Sequence, residues 1–308
     1  MENIKILIIG GTGFIGYHLA TKCLKLRWKV TSISLKKPRK KRKLKSVIYR
    51  LCDISHKKKL RNIVKNKKYN YVVNLGGYVD HINKKRTYKS HVVGSRNLFQ
   101  VLKNKKIKSF IQIGSSNEYG NLKSPHYESR IGKPKTIYGK SKYLASNYLL
   151  ECYKKYKFPV TIIRFYQLFG PGQDINRFLP QLIHACLKKI VFFTSSGKQS
   201  RDFLYIDDAI EAIIKSIKAK ESKGKIFNIG SGKAIKLKKI MEIVEKRLNY
   251  FYPVYGKVTL RKDEPNIIYP NTNLAKKILK WKNKTSFSKG LDKTINYYKK
   301  SFNKERAF

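Results

Sequence analysis

The stretch from Ile4 to Ala20, IKILIIGGTGFIGYHLA, decides how the rest of the chain is read. An apolar run, Ile4 to Ile9, carries a single Lys and leads into Gly10, Gly11, Gly13 and Gly16. Phe14, Ile15, Leu19 and Leu24 then recur at helical spacing, so the pattern reads as strand, tight turn, helix. Gly11-Thr12-Gly13-Phe14-Ile15-Gly16 fits G-x-G-x-x-G, and Gly10, Gly13 and Gly16 fit a second spacing of the same kind. Glycines placed this way let the backbone approach a dinucleotide pyrophosphate, which rests on free N–H groups at the positive end of the helix dipole. Gly10, Gly13, Phe14, Ile15 and Gly16 are therefore the candidate cofactor-binding residues.

Outward from this turn, strands and helices alternate. Apolar, β-branched runs predict strands at 4–9, 29–34, 46–52, 70–76, 107–114 and 159–166, with helical patterns at 14–26, 56–66, 87–104 and 137–156. Such alternation calls for a parallel sheet covered by helices on both faces. After Gly170-Pro171-Gly172 the rhythm loosens. Short strands near 190–194, 201–205 and 226–230 mix with helices near 175–188, 207–218, 236–248, 273–280 and 287–300. The predicted organisation is a dinucleotide-binding domain over 1–170 and a smaller substrate-binding lobe over 171–308, with 225–248 packing back on the first.

Composition narrows the classes. The formal charge of +52 invites a nucleic-acid partner, but only 14 of the 70 basic residues are Arg, and the lysines are spread along nearly every predicted helix and loop. The dense run Lys36 to Lys45, KKPRKKRKLK, has no interleaved aromatics. No nucleic-acid partner is expected. Cys23, Cys52, Cys152 and Cys186 have no C-x-x-C spacing, which argues for reduced thiols in a cytoplasmic setting and against a disulfide framework or metal site. No apolar stretch approaches the roughly 18 residues of a spanning helix, and no signal peptide is visible, so no membrane association is expected.

Two places carry chemistry. At the end of the second predicted strand, where an acid usually takes the ribose hydroxyls of NAD, stands Ser34, followed by Lys36, Lys37 and Arg39. A small hydroxyl backed by cations suits a 2′-phosphate, which favours NADP(H) over NAD(H); a solvated charged loop is the alternative. Asp53, after the third strand, is either an adenine contact or a surface turn. Further on, Tyr138-Gly139-Lys140-Ser141-Lys142 sets Tyr138 and Lys142 four apart at a helix start, on one face. A free phenol, with a pKa near ~10, is a poor base. An ammonium one turn away is expected to stabilise the phenolate and lower that pKa. Upstream, strand 107–114 runs into Gly114-Ser115-Ser116-Asn117-Glu118-Tyr119-Gly120, where Ser115 can hold the same substrate oxygen.

With these pieces together, the chain resembles the extended short-chain dehydrogenase/reductases that act on nucleotide sugars, the NAD(P)-dependent epimerase/dehydratase group. The likeness runs over almost the whole length. It is carried by Gly10-x-x-Gly13-x-x-Gly16, SSNEYG (115–120), YGKSK (138–142), RFYQLFGPGQ (164–173), RDFLYIDD (201–208), FNIGSGK (227–233) and LKWKN (279–283). The resemblance implies a Rossmann-type doubly wound sheet with a C-terminal substrate lobe, and Ser115, Tyr138 and Lys142 as a catalytic trio. Tyr138 and Lys142 would also contact the cofactor. It further implies that Arg201 and Arg261 meet the nucleotide diphosphate, and that the chain forms a homodimer through helices 87–104 and 137–156. Asp207 and Asp208 read as helix-start residues.

Departures from the group bear on the reaction. His91 and Gln167 stand where its members usually have Asn, and either change could move a sugar contact. His91 reads as structural rather than catalytic. Dehydratases of the group place Asp-Glu directly after the Ser/Thr; here those positions hold Ser116 and Asn117, and Glu118 comes one residue late. On a strand edge that shift turns the side chain to the opposite face, which disfavours dehydration. The reading is therefore reduction of a nucleotide-linked 4-keto-6-deoxyhexose by NADPH, as in surface-polysaccharide sugar synthesis. A 4-epimerase with bound NAD is the alternative, and a non-enzymatic dinucleotide-binding protein is the rival from another class.

Overall fold

A computed structural model describes residues 3–78, 83–259 and 265–306 of the chain. Its first half alternates as β1 (Lys5–Ile9), α1 (Phe14–Lys25), β2 (Lys29–Ser34), β3 (Val47–Leu51), α2 (Lys57–Val64) and β4 (Tyr71–Asn74). Then come α3 (Lys84–Tyr88), α4 (Gly94–Leu102), β5 (Ser109–Ser115), α5 (Ile137–Tyr156) and β6 (Val160–Phe165). The helix expected at 87–104 starts three residues earlier and is broken: a π turn, Lys89–Val93, separates α3 from α4. The second half holds β7 (Gln167–Phe169), α6 (Phe178–Lys188), β8 (Phe192–Phe193), β9 (Ser200–Tyr205), α7 (Ile206–Lys218), β10 (Ile226–Ile229) and β11 (Ala234–Lys236). It closes with α8 (Leu237–Leu248), β12 (Pro253–Val254), β13 (Ile267–Ile268), α9 (Asn273–Leu279) and α10 (Phe287–Arg306).

Seven parallel strands form the central sheet in the order β10-β6-β5-β4-β1-β2-β3. Its two faces are covered by different helices, and the alternation of the strand residues shows why. Ile6 and Ile8 of β1 join Leu19 and Cys23 of α1 and Ile206, Ile210 and Ile213 of α7 in one core. Leu7 and Ile9 point the other way, into a core with Leu60 of α2, Leu98 and Leu102 of α4 and Leu149 of α5. A sheet buried on both faces needs apolar residues at consecutive positions, which β1 supplies from Ile6 to Ile9 and β6 at Ile162 and Ile163. Each fully buried Leu, Ile or Val contributes ~1.5–3 kcal/mol.

Strand order reverses between β1 and β4, and at that switch point the carboxyl ends of the strands open a crevice. Strand β10, from the second half of the chain, pairs with β6 and extends the central sheet. A smaller sheet, β11-β9-β13 with β7 also on β9, lies beyond the crevice, with the pair β12-β8 beside it. No described helix is long and apolar enough to cross a membrane.

Candidate active site

The glycine turn closes tightly. Gly10 N–H donates to Ile33 O at 2.7 Å and Gly13 N–H to Gly10 O at 3.1 Å, and Gly10 takes φ 79°, which favours glycine. A Cβ on Gly16 would overlap the backbone of Gly10 and Gly11, so only glycine lets α1 start this close to the turn. At Gly13 a Cβ would meet only Gly10 O, at 3.4 Å, and the remaining space is cleft. The first-turn N–H groups of α1 have no intrahelical partners, and Phe14 and Ile15 line the same cleft. This cradle fits a dinucleotide diphosphate.

The cleft, about 730 Å³, runs from the glycine turn past the end of β5 to β9. Ser115 and Tyr138 meet on its wall. Ser115 is the last residue of β5, and its Oγ accepts the Asn117 N–H at 3.2 Å. Tyr138 sits in the first turn of α5, whose start is set by the Thr136 hydroxyl accepting from Gly139 N–H at 3.1 Å. The Ser115 hydroxyl stands close enough to the Tyr138 phenol to act on its pKa. Burial raises the pKa of the Tyr138 phenol; the Ser115 hydroxyl and the Arg177 charge pull the other way. The lowering expected from Lys142 is not found: the phenol is raised, and Lys142 is not among the groups that shift it. Lys142 Nζ lies 6.0 Å from the Tyr138 ring centroid and donates to Ile113 O at 2.7 Å. Burial brings the Lys142 ammonium down to about 8, against the attraction of Glu118.

His91 lies against this group. Its ring meets Tyr138 edge-on at 5.4 Å between centroids, and its Nε2 lies 3.2 Å from Tyr78 O. A carbonyl can only accept, so Nε2 carries the proton and Nδ1 is a bare acceptor, buried and without a partner. Burial and the Lys142 charge hold His91 neutral, well below its ordinary pKa. A Cβ on Gly77 would overlap Cε1 of this ring, so Gly77 and His91 fit as a pair.

Glu118 is sealed away from the cleft. Residues Ser116–Tyr119 form a 3-10 turn, so the side-chain direction follows from that turn rather than from strand alternation. Glu118 Oε1 accepts the Ser115 N–H at 2.8 Å, and Oε2 accepts from Arg164 Nε at 3.0 Å. Both partners of this ion pair are buried, and the Arg164 guanidinium also lies 4.5 Å over the Tyr119 ring.

The other predicted residues fall in different places. Gln167 and Arg201 line the cleft; Gln167 is exposed, and Arg201 is buried with Nη1 donating to Ser200 O at 2.8 Å and Asn266 O at 3.1 Å. Arg261 lies outside the described residues. Ser34, Lys36, Lys37 and Asp53 are not among the described residues lining the cleft. The Ser34 hydroxyl accepts the Thr12 N–H at 3.3 Å, tying the end of β2 to the glycine turn. Asp53 Oδ1 accepts the Ser55 N–H at 2.8 Å, forming a local turn. Arg39 shares Asp174 Oδ1 with Arg42, each at 2.9 Å. Sequence reasoning missed Arg177, which lines the cleft and faces Tyr138, and Asp174. One cation among 70 gives no signal until the fold places it.

Residues 6–230 match the family described as NAD dependent epimerase/dehydratase. The chain belongs to this family. It is 30% identical to a dTDP-D-glucose 4,6-dehydratase of Dictyostelium discoideum, over 74% of this chain and 58% of that protein. Among solved structures, a UDP-N-acetylglucosamine 4-epimerase of Methanobrevibacter ruminantium, in complex with UDP-N-acetylmuramic acid, superposes with a TM-score of 0.87. It is 25% identical and covers 98% of this chain and 100% of that one. The UDP-glucose 4-epimerase of Thermotoga maritima shares the fold at a TM-score of 0.91 and 24% identity, covering 97% and 100%. This chain is therefore an enzyme of the NAD-dependent epimerase/dehydratase family.

Proposed function

We propose that this enzyme reduces the C4 carbonyl of a nucleotide-linked 4-keto-6-deoxyhexose, in cytoplasmic synthesis of surface-polysaccharide sugars. The carrying observation is that Ser115 and Tyr138 stand together on the wall of the cleft that holds the glycine turn. In this reading the cofactor, when bound on the turn, supplies hydride to C4. Burial keeps the phenol of Tyr138 protonated, so it delivers its proton to the C4 oxygen while Ser115 holds that oxygen. Lys142 behind the ring provides positive charge as the phenolate forms. Arg177 and Arg201 stand ready for the diphosphate of the substrate. Water elimination is disfavoured because Glu118 is spent on Ser115 N–H and Arg164.

NADP(H) is the proposed cofactor, supported by a hydroxyl rather than a carboxylate at Ser34 with exposed Lys36 and Lys37 beside it. Equal affinity for NADH and NADPH in a fluorescence titration would remove this part. A homodimer through α3, α4 and α5 is supported by exposed apolar Tyr88, Leu144 and Tyr156 on α3 and α5. A monomer by light scattering would count against it.

A second reading, 4-epimerisation with retained NAD, is favoured by one feature. The Arg39–Asp174 pair ties the loop after β2 to a segment lining the cleft, a clamp suited to holding a cofactor through many turnovers. Following nicotinamide absorbance separates the two. A reductase consumes one NADPH per 4-keto sugar, whereas an epimerase interconverts UDP-sugars with no net absorbance change. In either case Tyr138→Phe should lower turnover by about 10²–10⁴-fold with little change in substrate affinity. Undiminished turnover would refute the assignment of Tyr138.

A further inference from the structure

The turn that carries His91 is wider than the helices on either side of it. A π turn, Lys89–Val93, interrupts the run from α3 to α4, and such turns are frequent at functional sites. It grips one residue of the segment after β4 at both backbone groups. Ser90 Oγ accepts the Tyr78 N–H at 3.0 Å, and the His91 Nε2–H donates to Tyr78 O at 3.2 Å. Gly77, one residue earlier, lines the cleft, and a Cβ there would overlap the His91 ring. The imidazole is therefore wedged between the back of the cleft wall and Tyr138, whose ring it meets at 75°.

His91 is 2% exposed and is not among the described residues lining the cleft, so it acts through its neighbours rather than on a bound ligand. Its Nδ1 is buried with no hydrogen-bond partner among the described residues, a standing cost that an apolar ring would not carry. The bond to Tyr78 O does not require a ring either, because the amide nitrogen of a glutamine falls near the place of an imidazole Nε2. What the imidazole adds is a flat, rigid neighbour for the Tyr138 ring in the T-shaped geometry that aromatic pairs favour. Held neutral, it does so without setting a second charge beside the Lys142 ammonium.

We infer that His91 is a positioning residue for the proton transfer: anchored on Tyr78 and Gly77, its ring fixes the orientation of the Tyr138 phenol and so places the phenolic oxygen beside Ser115. The inference rests on the role proposed above for Tyr138, and it is independent of which sugar is turned over.

Two substitutions separate what His91 contributes. His91→Gln keeps a donor for Tyr78 O and removes the ring; His91→Phe keeps a ring against Tyr138 and removes the donor. Turnover is followed as NADPH-dependent reduction of a nucleotide-linked 4-keto-6-deoxyhexose, or as UDP-sugar 4-epimerisation where the parent shows that activity instead. His91→Gln is expected to lower kcat by about 10–100-fold, the scale of a reacting group misplaced by about an ångström, with KM nearly unchanged. A folded His91→Phe should recover most of that loss. Added to Tyr138→Phe, His91→Gln should cost nothing further, because no phenol is left to position. Full activity in His91→Gln, a folded His91→Phe as slow as His91→Gln, or a loss that multiplies with that of Tyr138→Phe would each overturn the inference. Where His91→Phe does not fold, the double variant with Tyr138→Phe decides alone. Undiminished turnover in Tyr138→Phe by itself overturns the role of the phenol first, and the positioning role falls with it.

Discussion

Lys142 shows how a single residue sets function against stability. Lys142 is 4% exposed, and the pKa of its ammonium falls from 10.5 to about 8 because burial penalises the charge. The folded-state value lies below the unfolded one, so between about pH 8 and 10.5 the unfolded chain binds more protons. Through this group stability therefore rises with pH across that window. At neutral pH the charge is a burden carried for chemistry. Lys142→Met should be at least as stable as the parent in urea at pH 7, and its advantage should shrink above roughly pH 8. The variant should lose activity throughout. In the parent, kcat/KM should decline above about pH 8 as the ammonium of the free enzyme deprotonates. A Lys142→Met protein several kcal/mol less stable at pH 7 would show that the ammonium is a structural anchor instead.

At the scale of elements, the turn after β5 does two jobs at once. Glu118 returns to cap the Ser115 N–H and neutralises Arg164 on β6, holding Ser115 at the cleft. Glu118→Ala would leave Arg164 buried and uncompensated, an arrangement that costs about 3–5 kcal/mol. A chemical-denaturation midpoint unchanged in that variant would contradict this account. The long, periodic elements were legible in the sequence. Helix 137–156 and strand 29–34 have the bounds that their apolar patterns predict, and the glycine turn lies where its spacing puts it. The strands 167–169, 234–236, 253–254 and 267–268 were not. They are two or three residues long, and their pairing to β9 and β8 is set by tertiary neighbours rather than by any local period. The π turn at 89–93 was hidden for a similar reason. It accommodates one wide turn around His91 without altering the apolar spacing of the helix on either side. Within the candidate site, the sequence named Ser115, Tyr138 and Lys142. It gave no sign that Arg39 would bond Asp174 across 135 residues, since that contact exists only once both loops reach the same end of the sheet.

For the whole molecule, the architecture explains why so lopsided a composition still yields a defined site. Apart from Lys142, Arg164 and Arg201, the described Lys and Arg residues stay out of the buried interior, while both cores are built mainly from Ile, Leu, Val and aromatic residues. The sheet carries the glycine turn on β1 and Ser115 on β5 to one edge, and α5 brings Tyr138 to meet them. The central claim is that this edge moves hydride and a proton at C4 without removing water. Deuterium transfer tests it most directly. The protein is incubated with NADPH deuterated at its transferable position and a nucleotide-linked 4-keto-6-deoxyhexose, and the sugar product is weighed by mass spectrometry. The account predicts one deuterium in the sugar for each NADPH consumed, with transfer collapsing in Tyr138→Phe. A sugar that gains no deuterium, or a nucleotide sugar that instead loses water, would contradict it.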